Sequence, residues 1–164
     1  MPKEPNSLPQ TPAYVADLQA IYGAPSQAGF GSAVFYESIN NPQQIEQVAL
    51  KTYRYFVGEL WERWGEAAWM MTWKEVYQRQ PDASHRIVSE MQAVSDSDAA
   101  MSLSMILTVG RAEAAHQALA AAYDDATVTD LVIYTIGDGA AMSGVLVVGR
   151  RATGATTLLI FLLD

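Results

Sequence analysis

Between residues 130 and 164 the chain carries three short apolar runs, at 131–136, 142–148 and 158–163. Two glycine-bearing breaks separate them, Gly137-Asp138-Gly139 and Arg150-Arg151-Ala152-Thr153-Gly154. Short runs rich in Val, Ile and Leu with glycine between them read as consecutive strands joined by hairpins. The runs are apolar at nearly every position and do not alternate, so both faces of each strand must be covered. The first half of the chain is the expected cover. Thirteen of the sixteen aromatic residues lie within the first 80 positions, which pairs a bulky aromatic layer with an aliphatic sheet.

At 164 residues, half of them apolar, the chain is expected to form one α+β domain over 13–164, behind a flexible proline-rich lead-in over 1–12. The expected architecture is N-terminal helices packed on a four-stranded, mainly antiparallel sheet, in the order α-α-α-β-α-β-β-β. Helices are expected over 14–22, where Gly23 and Pro25 supply a stop, and over 41–78, where Asn41 and Pro42 supply a start. Gly58 and Gly65 are expected to kink or divide that long helix, or to mark close packing. A short helix is expected over 84–94 and an alanine-rich one over 111–123. Residues 101–109 alternate Met, Leu and Val with Ser and Thr, which predicts an edge strand with one polar face. Asp124-Asp125 would be unfavourable at the end of the alanine-rich helix, so these acids are expected to lie in a turn or to cap another element. A face of the sheet left bare would be buried in a symmetric homodimer.

The formal net charge is −8, and residues 81–164 hold 10 acidic against 4 basic side chains. Such a surface repels phosphate backbones and acidic membranes, so neither nucleic acid nor membrane is an expected partner. A basic partner protein would be attracted instead. The absence of cysteine excludes disulfides and thiol chemistry and fits a reducing, cytoplasmic setting. No apolar run follows Met1-Pro2-Lys3-Glu4-Pro5, so no secretory leader is expected, and no segment approaches the ~20 apolar residues of a membrane helix.

Motifs with defined chemistry fail at the residue that carries the mechanism. The stretch from Gly137 begins like a dinucleotide fingerprint, but Met142 stands at its third glycine. The stretch from Gly139 has phosphate-loop spacing, but Val145 replaces the lysine. A hairpin turn accounts better for both. Ser143-Gly144 lacks the first glycine of a nucleophile elbow. Glu113 and His116 form one E-x-x-H pair where a di-iron site needs two, so neither metal nor cofactor is expected. Glu59, Glu62, Glu66 and Arg63 read as a solvated helix face.

Four tryptophans, Trp61, Trp64, Trp69 and Trp73, fall within thirteen residues. They read chiefly as core, with some free to grip a partner. Asp138, Arg150 and Arg151 complete the candidate binding residues, the arginines as a basic pair in the last turn that could anchor an acidic group or the C-terminal carboxylate. The favoured functional expectation is a non-enzymatic cytoplasmic module that binds another protein, a bacterial immunity-type inhibitor being one version. The alternatives are an α+β cone with an apolar pocket, similar in element order to cystatin-like folds, and a structural homo-oligomer subunit. That pocket would be lined by Trp64, Trp69 and Trp73, with Asp138 or Glu66 as acid or base.

Overall fold

The computed structural model describes residues 11–163. The three aliphatic runs form β3 (Val128–Gly137), β4 (Ser143–Arg151) and β5 (Ala155–Leu163), joined as two antiparallel hairpins. Two more strands flank them, β1 (Gly31–Ser38) beside β5 and β2 (Lys74–Gln78) beside β3. The result is one five-stranded antiparallel sheet in the order β1-β5-β4-β3-β2.

Side chains alternate across this sheet, so each continuous apolar run feeds two separate cores. Leu131, Ile133, Val145, Val147, Leu159 and Phe161 face one side. There they meet α1 (Ala13–Tyr22), α5 (Ile87–Ala93), α6 (Ser97–Thr108) and α7 (Ala112–Tyr123). Val132, Tyr134, Ile136, Leu146, Val148, Leu158, Ile160 and Leu162 face the other side. That side is covered by α2 (Ile45–Val57), α3 (Glu59–Trp64) and α4 (Glu66–Trp69), entered through a 3-10 turn at Pro42–Gln44. Burying one such side chain contributes about 1.5–3 kcal/mol, so the central strands anchor both halves of the fold. Among the described residues helices cover both sheet faces, so the bare face on which a homodimer was conditional is not present.

The α+β class is as expected, but the strand count and element order are not. Of the residues 101–109 expected as an edge strand, 101–108 lie in α6 and Val109 is its extended C-cap. Ala99, Ser102, Leu103, Ile106 and Leu107 are its buried residues, a period of 3.6, and the Asp96 carboxylate caps it by accepting the Ala99 amide at 3.0 Å. The expected long helix over 41–78 is broken at Gly58 and Gly65 and ends in β2. Both glycines have positive φ, 67° and 91°. Nothing lies within 4 Å of a Cβ built at Gly65, so backbone conformation and not crowding selects glycine there. Asp124 caps another element, its carboxylate accepting the Ile87 amide at the start of α5 at 2.6 Å. The proline-rich lead-in expected over 1–12 lies, as far as residue 10, outside the described residues. No helix among those described is long and apolar enough to cross a membrane.

Candidate interaction surface on the aromatic layer

The breaks at Gly58 and Gly65 fold α2, α3 and α4 back on one another, and this brings all four tryptophans into one cluster. Tyr53 of α2 is its hub. Its ring meets Trp61 edge-on at 5.1 Å and Trp69 edge-on at 6.3 Å, and it stacks on Trp73 at 5.8 Å. Trp73 in turn stacks on Tyr134 of β3 at 4.5 Å. Burial holds the phenols of Tyr53 and Tyr134 well above the usual tyrosine range, although the hydrogen bond with the Gly137 backbone partly offsets this for Tyr53. Ring-on-ring contact fills the space among Tyr53, Trp61, Trp69 and Trp73, while a cavity of about 220 Å³ lies between Trp73 and Thr135, Ile136, Ser143 and Gly144 of the sheet.

Trp61 and Trp69 are core residues, as most of the cluster was expected to be, and the Trp69 indole N–H donates to the Leu60 carbonyl at 2.9 Å. Trp64 differs. It lies parallel to Trp69, with centroids 5.0 Å apart and planes 2° apart, yet remains 41% exposed. Trp73 is half-buried and donates to Glu46 Oε2 at 3.0 Å.

Of the other candidate residues, Asp138, Arg150 and Arg151 are engaged in hydrogen bonds within the fold. Asp138 lies in the β3–β4 turn, where its Oδ1 accepts the amides of Ala140 and Met142, each at 2.9 Å. Burial opposes its ionisation, but the amides of Met142 and Ala140 outweigh burial and hold the carboxyl below its ordinary range. Glu66 is exposed in the first turn of α4. Arg150 and Arg151 are the last residues of β4 and not the turn itself. Arg150 is buried, donating to Ile39 and Asn40 carbonyls at 2.7 and 2.9 Å and to Asp130 Oδ2 at 3.0 Å. Arg151 packs its guanidinium 3.8 Å over the Tyr14 ring and donates to the Ala121 carbonyl near the end of α7 at 3.0 Å. The C-terminal carboxylate considered as a partner for these arginines belongs to Asp164, outside the described residues. His116 Nε2 lies 3.0 Å from the Leu107 carbonyl near the end of α6.

An open groove of about 630 Å³ runs between the 27–29 loop, α2 and α3, and its lining reaches Arg63, the residue before Trp64. Gly29 and Gly58 help form it, and the Gly29 amide donates to the Phe56 carbonyl at 2.9 Å. Lys51, Arg54, Tyr55, Glu59, Glu62 and Arg63 line its walls, with Arg54 bonded to Glu62 at 2.8 Å. Tyr55 is exposed in this wall, and Phe30, which follows Gly29 in the chain, is exposed as well. Comparison with known protein families, curated proteins and solved structures finds no match for this chain. The groove therefore has to be judged on its own chemistry. Arg54, Tyr55, Arg63 and Trp64 are of the three residue types that dominate binding hot spots. Tyr55 and the groove were missed in the sequence because they depend on the sharp α2–α3 break at Gly58.

Proposed function

We propose that this chain is a non-enzymatic protein-interaction module, and that the outer face of α2 and α3 engages its partner. One observation carries the reading: Trp64 is exposed to solvent while held flat against the buried Trp69. A surface indole fixed in this way forfeits little conformational entropy on binding, so more of its contact energy is available for affinity. The groove that reaches Arg63, the residue before Trp64 in α3, adds Tyr55, Arg54 and Arg63 to the same pair of helices. The polar groups that could have served chemistry, Asp138, Arg150 and Tyr53, are committed to holding turns and connections, which favours binding over catalysis. The net charge of −8 favours a basic partner drawn in by long-range attraction. A cytoplasmic immunity-type inhibitor of a basic toxin fits these features.

The test is affinity capture on the immobilised full chain from the source cell, at low and moderate salt, compared with a folded Trp64→Ala variant. The expected result is a partner retained by the wild type, weakened by salt and lost in the variant. Capture of nothing, or equal capture by both, would overturn the proposal.

A further inference from the structure

A second groove, of about 290 Å³, lies at the opposite edge of the sheet, between the start of α2 and strands β2 and β3. Its form follows from strand register. Glu75 pairs with Tyr134 and Gln78 with Val132, four residues on β2 against three on β3, with the irregularity between Glu75 and Tyr77. That bulge keeps both Glu75 and Gln78 on the α2 side of the sheet, beside Tyr134 and Asp130. Glu46 enters from the first turn of α2, across the groove from Glu75.

The charges are unbalanced. Of the three carboxylates, Asp130 is paired with Arg150 at 3.0 Å. Glu46 gives one oxygen to the Trp73 indole, and Glu75 has no ion-pair partner among the described residues. Tyr134 supplies the independent observation. Only 3% of the residue is exposed, it lines this groove, and its hydroxyl makes no hydrogen bond to another described residue and is not closed off from solvent. The fields of Glu46 and Glu75 both reach this phenol, adding to the effect of its burial. A hydroxyl that opens onto the groove from an otherwise buried ring is left to water, and a donor entering the groove can take that water's place.

We infer that this groove is a receptor site for an arginine side chain of the partner protein, with Glu75, Glu46 and the Tyr134 hydroxyl accepting its guanidinium N–H groups. Acceptors on opposite walls suit the planar, five-donor fork of arginine better than a point charge. Trp73, stacked on Tyr134 and bonded to Glu46, holds two of the three acceptors in place. Basic partner chemistry rests on the function proposed above; the pocket itself is separable from the Trp64 face.

The test is NMR of the labelled full chain titrated with acetyl-Gly-Arg-Gly-amide, with the citrulline peptide and spermidine as parallel arms. The expected result is saturable shifts at the Tyr134 ring and the Glu46 and Glu75 side chains, diminished by salt and absent with citrulline. Glu75→Gln, at an exposed edge position, should weaken binding about tenfold, and Tyr134→Phe several-fold. Trp64→Ala should leave these shifts intact, which separates failure of this pocket from failure of the partner-binding face. The inference is overturned by no saturation at about 10 mM peptide, where an affinity near 1 mM would be evident. It is equally overturned by equal binding of the citrulline peptide, by an unchanged response in Glu75→Gln, or by spermidine binding where the arginine peptide does not.

Discussion

The Tyr53 hydroxyl accepts the Gly137 amide at 2.9 Å and donates to the Trp69 carbonyl at 2.7 Å. One buried side chain of α2 thus ties the end of β3 to the end of α4. Tyr53→Phe keeps the ring stacking but leaves the Gly137 N–H without its partner in a dry site. The cost of an unsatisfied buried donor is about 1–3 kcal/mol. Urea denaturation should show a loss of that size with an unchanged slope, and a change below about 0.5 kcal/mol would mean that this tie contributes little.

Arg79 and Glu90 form a buried ion pair joining the residue after β2 to α5, with side chains 2% and 8% exposed. Arg79 also donates to the Tyr123 carbonyl at 2.9 Å, and Tyr77 donates to Glu90. Arg79→Met alone strands a buried carboxylate and should cost about 3–5 kcal/mol. The Arg79→Met, Glu90→Leu double variant should recover much of that loss, because no unpaired charge remains. Equal destabilisation of single and double variants would show that packing, not charge, is what the pair supplies.

The hairpins of β3, β4 and β5 could be read in the sequence because apolar residues fill nearly every position of each run. Residues 101–109 could not, since Met101, Leu103, Met105 and Leu107 satisfy a period of two while Ala99, Leu103, Ile106 and Leu107 satisfy a helical one. The Asp96 cap decides between them. β2 was hidden because an edge strand of sequence KEVYQ carries little apolar signal and follows directly on helical spacing. The tryptophans were conspicuous as a dense group, but the hub Tyr53 and the Tyr134 at the far side of the cluster are joined only by tertiary packing. No local pattern announces that Trp73 will stack between Tyr53 and Tyr134, nor a bulge that turns Glu75 toward α2.

Asp96 links stability to pH. The Lys74 ammonium, bonded to it at 2.6 Å, and then the Ala99 amide hold its carboxyl below the ordinary range. The folded state therefore binds this proton less readily than the unfolded state does. Its contribution is present above the carboxyl's usual value near 4 and drains away as pH falls through the lowered one. Most of it comes from the helix cap, because an exposed lysine pair adds little. Asp96→Ala should cost about 1 kcal/mol at neutral pH. In urea titrations at stepped pH, the gap between wild type and variant should close below about pH 4. A gap that stays constant to pH 2 would dismiss the carboxylate as its source.

Gly149 of β4 lies under the fully buried ring of Tyr123. A Cβ at this position would fall 2.4 Å from Tyr123 Cδ1 and 2.6 Å from Cε1, far inside contact distance. The ring has little room to yield, since Arg79 holds the carbonyl of the same residue and α7 packs it against the sheet. Gly149→Ala should therefore destabilise by about 1–3 kcal/mol through overpacking, although alanine suits a strand better than glycine. Adding Tyr123→Leu should make the pair less costly than the sum of the two single changes, because the smaller side chain vacates the space the methyl needs. Additive losses would place the strain of Gly149→Ala somewhere other than under this ring.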